Sequence, residues 1–215
     1  YNRKLLQAIL QKKIELYDYE AIVNEKGHRL IGFGRYAGLV GAYNGFRVMG
    51  IRDALFNLPK AETLHDFSEM KDELDAIKLP AIKILLTGKG KVAKGAKEIL
   101  EHLKIKEVSV DKFLSNTYKR AVFCMIDCLD YNKRKDGEKL TKKDFYNNPE
   151  DFESDFMQFA AVSDFFIAGH FYAENAPYLF TRENAKQPDF KINIVADISC
   201  DIDGPVASTI RSSTI

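Results

Sequence analysis

Residues 81–103, AIKILLTGKGKVAKGAKEILEHL, change from one hydrophobic pattern to another within a single stretch. Their first part is a short apolar run, which is typical of a strand buried on both faces. After it, apolar side chains recur at helical spacing, at Val92, Ala96, Ile99, Leu100 and Leu103. Between the two parts lies a G-x-G-x-x-A turn formed by Gly88, Gly90 and Ala93. We therefore predict a strand, a glycine turn and a helix in direct succession.

The alternation of strand-like and helical patterns continues along the chain. Further apolar runs lie at 107–110, 120–126, 164–168 and 192–198, with helical segments around 150–161 and 181–186. This order predicts an α/β fold with a Rossmann-like, doubly wound parallel sheet. Since two mononucleotide halves use six strands, we expect a sixth beyond Ile215. The polar stretch 131–151 is expected to pass over the surface.

The first 80 residues have a different organisation. Residues 1–34 predict a helix followed by strands at 14–16 and 29–33, with a turn at 24–27. Residues 35–56 predict a long helix whose small residues pack closely on a neighbour, for instance across a domain interface; they are Gly38, Gly41 and Gly45. Residues 57–80 carry a charged amphipathic helix and lead into the glycine turn unit.

Composition restricts the classes of function. The chain has 215 residues, 46% of them hydrophobic and 29% charged, with a net charge of +1. This balance predicts no nucleic-acid partner, and no apolar run reaches the roughly 18 residues that a membrane span needs. Three cysteines without C-x-x-C spacing favour reduced thiols in a cytoplasmic protein. We predict no metal site, because the acidic trio Asp197, Asp201 and Asp203 is more typical of caps and turns.

The glycine turn is the first candidate binding site. Residues without a Cβ let the backbone approach a pyrophosphate, and the helix N-terminus offers free N–H groups. We therefore expect Gly88, Gly90, Lys91 and Ala93 to bind a dinucleotide, with Lys91 nearest the phosphates. A P-loop is excluded, because no hydroxyl residue follows a lysine at the required position. The alternative is that the glycines form only a tight corner.

The end of the second strand of such a fold meets the adenosine ribose about 20 residues after the glycines. That region holds Ser109 and Asp111. Asp111 favours a 2′-hydroxyl and hence NAD, unless it merely begins a helix. Lys112 would tolerate the 2′-phosphate of NADP, which stays an alternative.

Ligands of open α/β sheets lie beyond the carboxyl ends of the strands. His170 follows such a strand, between Gly169 and Phe171. It is a candidate to lie near a nicotinamide ring, and the alternative is an exposed loop residue.

Four segments together resemble the saccharopine dehydrogenase and lysine–2-oxoglutarate reductase family, a branch of the alanine dehydrogenase and transhydrogenase superfamily. They are FGRYAGLVGAYNGFR (33–47), TGKGKVAKGAKEIL (87–100), FIAGHFYAENAPYLF (166–180) and VADISCDIDGP (195–205), and they cover nearly the whole chain in order. The resemblance implies a substrate domain and a Rossmann domain that face each other over a cleft. It also implies that NAD(P) exchanges a hydride with the Cα of an amino-acid substrate or its imine.

By position, the resemblance extends to individual residues. It implies that Arg29 binds a substrate carboxylate, that Glu20 tunes nearby acid–base groups and that Asp201 lies near substrate and nicotinamide ribose. The alternative for Glu20 and Arg29 is an ion pair on the surface of a hairpin. Gly169, His170 and Phe171 match the segment beside the nicotinamide, while the family more often has glycine at the place of Ala93.

The resemblance also divides the chain. It implies that residues 1–34 end a substrate domain, that 35–80 connect the domains, and that 81–215 form an NAD(P)-binding domain cut short at its carboxyl end. The family's catalytic lysine and histidine lie upstream of the equivalent of Tyr1, so we expect this chain to be a fragment of an enzyme. An alanine dehydrogenase-like enzyme and a catalytically silent NAD(P)-binding regulatory module stay open, as does a homodimer.

Overall fold

The computed structural model describes residues 2–139, 141–173 and 175–211. The chain folds into two compact units, one of residues 1–33 and one of residues 34–215. In the described part of the chain, no helix is both long and apolar enough to cross a membrane.

Among its described residues the smaller unit holds one α-helix, α1 (Arg3–Gln11), which Asn2 caps by accepting a hydrogen bond from the Leu5 N–H, and one turn of 3-10 helix (Tyr19–Ala21). The predicted turn is present, and Val23 and Arg29 form an isolated antiparallel bridge across it. The strands predicted at 14–16 and 29–33 are wrong. None of the described residues of this unit is buried, so those apolar runs lack the covered face that a stable strand requires.

The larger unit contains a five-stranded parallel sheet. Its strands are β1 (Lys83–Thr87), β2 (Lys106–Glu107), β3 (Val122–Ile126), β6 (Phe165–Ala168) and β7 (Ile194–Asp197). They lie in the order β2-β3-β1-β6-β7. A separate antiparallel pair consists of β4 (Asn132–Arg134) and β5 (Phe152–Ser154). The predicted α/β class and Rossmann-like parallel sheet are confirmed.

Helices surround this sheet in the larger unit. They are α2 (Gly34–Asp53), α3 (Phe67–Asp75), α4 (Lys91–His102), α5 (Val110–Ser115), α6 (Cys128–Tyr131), α7 (Lys142–Asn147) and α8 (Met157–Ala160). Alternate residues of β1 enter two different hydrophobic clusters: Ile84 and Leu86 pack with residues of α2 and α4, while Leu85 packs in the other cluster. The central strands β1, β3 and β6 are thus buried on both faces, as their apolar runs predict.

Helix α2 packs very closely on α4, within the larger unit. A Cβ on Gly38 would lie 2.0 Å from the Val92 carbonyl oxygen, and one on Gly95 would lie 2.0 Å from the Arg35 carbonyl oxygen. Since Cβ atoms do not approach other heavy atoms to that distance, both positions require glycine. The predicted close packing of this helix is confirmed, and its neighbour is α4.

The stretch 131–151 lies largely at the surface, as its polarity predicts, since most of its described residues are exposed. Tyr131 and Phe145 are buried within it, and the Phe145 ring lies 5.3 Å from the ring of Phe152 in β5. These aromatic side chains attach the segment to the second hydrophobic cluster. The helix predicted over 150–161 is mostly wrong, because β5 occupies part of that range and α8 has only four residues.

Candidate functional site

The glycine turn begins at the carboxyl end of β1 with Gly88 in a left-handed conformation, φ +94°. Its N–H donates to the Ile126 carbonyl of β3 at 2.8 Å, and a Cβ at this position would lie 2.6 Å from the Gly169 carbonyl oxygen. Gly88 is therefore fixed between the two strands that flank β1, where a side chain has no room.

Gly90 has the opposite surroundings. It is the N-cap of α4, and a Cβ on it would meet no atom within 4 Å. With no side chain at the cap, no capping oxygen of Gly90 accepts from the first-turn N–H groups of α4, where the helix dipole is positive. The space above Gly90 and the first turn of α4 together form a cradle suited to an anion.

The third small residue of the turn, Ala93, is fully buried behind this cradle. A Cβ on Gly169 would lie 3.1 Å from the Ala93 Cα and 3.1 Å from the Thr87 carbonyl oxygen. Small residues at both positions thus let α4 approach the ends of β1 and β6. Lys91 is the first residue of α4 and its side chain is exposed at the edge of the cradle.

His170 is buried, with 8% of its surface exposed, so the alternative of an exposed loop residue is wrong. Its Nδ1 lies 2.7 Å from the Thr87 hydroxyl, and its Nε2 is buried without a hydrogen-bond partner. Burial lowers the pKa of His170 to about 4, against a smaller opposite effect of the Asp197 carboxylate. The ring is therefore neutral near pH 7. The next residue, Phe171, is 82% exposed.

Thr87 is a member of this site that the sequence analysis missed. It is fully buried at the last position of β1, and its hydroxyl makes the contact that orients the His170 ring. The available signal was a polar residue that ends an apolar strand directly before the first glycine.

The order of the strands changes the position expected for a ribose-binding acid. The strand that precedes Ser109 and Asp111 is β2, and it does not border β1. Among the described residues β2 pairs with β3 alone, and β3 lies beside β1. Ser109 is the N-cap of α5 and Asp111 lies in its first turn, both beyond the edge strand. The residue that follows the strand next to β1 is Asp127, which sequence spacing did not indicate.

The Asp127 carboxylate forms ion pairs with two lysines. Its Oδ2 lies 3.2 Å from the Lys89 Nζ and 2.7 Å from the Lys142 Nζ, and its Oδ1 accepts from the Leu129 N–H at 3.0 Å. Burial alone would raise the pKa of Asp127, but the hydrogen bonds from Lys142, Leu129 and Lys89 outweigh it and hold the pKa below its usual range. The carboxylate is therefore ionised at neutral pH.

At the end of β7, Asp197 accepts hydrogen bonds from the Ser199 hydroxyl at 2.6 Å and the Thr209 hydroxyl at 2.5 Å. Asp197 and Cys200 line a cavity of about 930 Å³ along β7 and α2. Asp201 is exposed in the following loop, where its carbonyl oxygen accepts from the Gly204 N–H. Among the described residues, no three His, Cys, Asp or Glu side chains are grouped as metal ligands.

In the smaller unit, the structure brings Glu20 and Arg29 together. Their charged groups lie 3.7 Å apart, and both side chains are more than half exposed. This is the surface ion pair that the sequence left as an alternative to a role in substrate binding.

Comparison with known proteins identifies relatives along the whole chain. No family model matches. The chain is 25% identical over 252 residues to an alpha-aminoadipic semialdehyde synthase of Arabidopsis thaliana, covering 100% of this chain and 24% of the relative. It is 26% identical over 261 residues to the mitochondrial alpha-aminoadipic semialdehyde synthase of Rattus norvegicus, covering 100% of this chain and 27% of the relative. The resemblance to the saccharopine dehydrogenase and lysine–2-oxoglutarate reductase family is confirmed. The Bos taurus mitochondrial enzyme of the same name is 26% identical over 258 residues.

The chain spans about a quarter of the length of the curated relatives it matches. The names of these relatives state no cofactor.

Proposed function

We propose that this chain is the nucleotide-binding part of an NAD(P)-dependent oxidoreductase that acts on the C–N bond of an amino acid of the saccharopine or lysine type. The observation that carries the proposal is the cradle at the glycine turn. Gly88 is fixed by its neighbours, whereas Gly90 faces open space at the N-terminus of α4. Tight packing explains the first glycine, and the open space at the second gives a pyrophosphate room to approach the backbone at the helix N-terminus.

The residues at this edge of the sheet fit a nicotinamide dinucleotide. Gly90 and Lys91, supported by Gly88 and Ala93 behind them, would bind the pyrophosphate. The buried His170 presents an unpartnered Nε2 beside the same turn, which is the kind of polar atom that a bound ligand satisfies. When bound, the cofactor supplies or accepts the hydride.

The remaining residues determine the shape and the charge of the site. Gly169, next to His170, keeps this edge narrow, and the exposed Phe171 offers an apolar face to a ring. Because the His170 ring is neutral near pH 7, it does not repel the positive charge of an oxidised nicotinamide ring. From the family resemblance we assign Arg29 to a substrate carboxylate, because a guanidinium donates two parallel hydrogen bonds. The same resemblance assigns Glu20 to the tuning of nearby acid–base groups. It assigns Asp201 to the neighbourhood of the substrate and the nicotinamide ribose.

The test of the cradle is Gly90→Val, with Gly32→Val as a matched control. A Cβ at either position meets no atom within 4 Å, and neither backbone has a positive φ. Titration calorimetry with NADH and NADPH should show that Gly90→Val loses binding at least roughly tenfold, since the side chain occupies the approach to the pyrophosphate. Gly32→Val should bind as the parent chain does. Equal binding by both variants would contradict the proposal.

The substrate class is tested in the longer protein that the resemblance implies. Oxidation of NADH or NADPH in the presence of lysine and 2-oxoglutarate would support the saccharopine type. Turnover only with pyruvate and ammonia would instead support an alanine dehydrogenase-like enzyme. Saturable binding without turnover of either pair would identify a regulatory module and contradict the proposed reaction.

We also propose a cytoplasmic location. Light scattering measures whether the chain forms a homodimer. Microscopy of a fluorescent fusion tests the location directly, since the rat and bovine relatives are named as mitochondrial.

A further inference from the structure

Strands β1 and β3 end level with each other at the edge where the glycine turn begins. Thr87 lies opposite Ile126 in the parallel register, and the Gly88 N–H donates to the Ile126 carbonyl at 2.8 Å. The residue that follows β3 is Asp127, so Asp127 lies at the same edge of the sheet as the glycine turn. β1 is also where the strand order reverses, because the chain passes from β3 on one side to β6 on the other. Ligands of open α/β sheets bind at such a point.

The Asp127 side chain is held in one position. It is only 10% exposed, and its Oδ1 caps α6 by accepting from the Leu129 N–H. The Asp127 N–H in turn donates to the Asp130 carboxylate at 2.8 Å, which completes a capping box. A carboxylate fixed from both sides keeps its orientation when a ligand arrives.

The two lysines beside Asp127 share one of its carboxylate oxygens. Lys89 and Lys142 both pair with Oδ2, and both side chains are about half exposed, at 53% and 48%. Lys89 belongs to the glycine turn itself, between Gly88 and Gly90. The cluster therefore adjoins the pyrophosphate cradle, and the Asp127 carboxylate is fixed between the two cations.

The two nicotinamide dinucleotides differ at the adenosine ribose. A free 2′-hydroxyl can donate a hydrogen bond to a carboxylate, whereas a 2′-phosphate brings negative charge to the same place. With Asp127 present, that phosphate would meet a fixed anion and two cations that are already paired.

We propose that Asp127 selects the nucleotide: it makes the site specific for NAD(H) over NADP(H), and its removal frees Lys89 and Lys142 to bind a 2′-phosphate. This inference rests on the proposed function, since it requires a dinucleotide at the glycine turn. It assigns to Asp127 the role that sequence spacing assigned to Asp111.

The test is Asp127→Ser, which removes the charge and keeps a residue that caps helices well. Asp111→Ser is the matched control, because it makes the same change at the position that sequence spacing favours. NADH and NADPH are titrated into each protein and followed by nicotinamide fluorescence. The parent chain should bind NADH at least about tenfold tighter than NADPH, since one charged hydrogen bond is gained and one repulsion avoided. Asp127→Ser should reverse this preference, and Asp111→Ser should leave it unchanged.

A double variant separates the contribution of the freed lysines to NADPH binding from the effect of losing the carboxylate. Adding Lys142→Ala to Asp127→Ser should remove most of the gain in NADPH binding, because one of the two freed cations is gone. If Asp127→Ser does not fold by circular dichroism, Asp127→Asn serves in its place, since asparagine also caps and has nearly the same shape.

The outcomes distinguish this inference from the proposed function. The same NADH to NADPH ratio in the parent chain and Asp127→Ser would overturn the inference, while binding itself would still support the proposed function. A changed ratio in Asp111→Ser alone would also overturn it. Binding of neither nucleotide by the folded parent chain would overturn both.

Discussion

The contact between α2 and α4 offers the sharpest test of the packing beneath the site. Replacing Gly95 by Ala puts a methyl group 2.0 Å from the Arg35 carbonyl oxygen, where ordinary contact begins at 3.4 Å. The helices would have to separate by the difference, 1.4 Å, because the atom struck belongs to the backbone. Overpacking of this kind costs about 1–3 kcal/mol or more, and the gain of about 1 kcal/mol in helix propensity offsets only part of it. We expect a net loss of about 2 kcal/mol in the free energy of unfolding.

The matched control is Gly41→Ala, the same substitution inside α2. Its new methyl group would lie 2.5 Å from Cγ1 of Ile198, so a side chain has to shift there, whereas at Gly95 a helix backbone has to shift. Urea unfolding followed by far-UV circular dichroism measures both variants against the parent chain. Gly95→Ala should lower the midpoint more than Gly41→Ala. Equal midpoints would refute the close approach of the two helices.

The remaining predictions concern buried groups and thiols. Because the pKa of His170 is lowered from 6.5 to about 4 on folding, its stabilising effect is complete above pH 6.5 and is lost as the pH falls to about 4. The parent chain should therefore lose more stability than His170→Gln between pH 7 and pH 4, by at most about 3 kcal/mol in unfolding experiments, and parallel losses would contradict the burial of the ring. Thr87→Val should destabilise the fold by about 1–2 kcal/mol through the loss of the hydrogen bond to His170, and an unchanged midpoint would contradict that contact. Of the three thiols, Cys200 is exposed whereas Cys124 and Cys128 are buried, and burial raises the pKa of Cys124 to about 12. A thiol reagent should modify Cys200 alone in the folded chain, and rapid modification of a second thiol, located by mass spectrometry, would contradict the packing.

The parts of the fold that sequence predicted well are those that local pattern determines. The strand, glycine turn and helix of residues 81–103 lie next to each other both in sequence and in space, so their hydrophobic periods and the glycines suffice. Four of the five parallel strands follow for the same reason, because each is a short, mostly apolar run between polar segments, whereas β2 consists of two charged residues.

The features that were missed depend on contacts between distant segments. Nothing in the two residues of β2 indicates that β3 displaces it from the side of β1, and this pairing alone brings Asp127 to the glycine turn. The polar composition of 131–151 conceals Phe145, whose burial fixes Lys142 near Asp127 only after the chain has folded back. In the smaller unit, by contrast, strands were predicted that do not form, because their apolar runs have no covered face.

The central claim is that the glycine turn binds a nicotinamide dinucleotide. The most direct measurement is a titration of NADH with the unmodified chain, followed by the fluorescence of the nicotinamide, which is clear because the chain has no tryptophan. The account predicts saturable binding with one site for each chain. A folded chain that leaves the fluorescence of NADH unchanged, and that shows no heat of binding with NADH or NADPH, would contradict it.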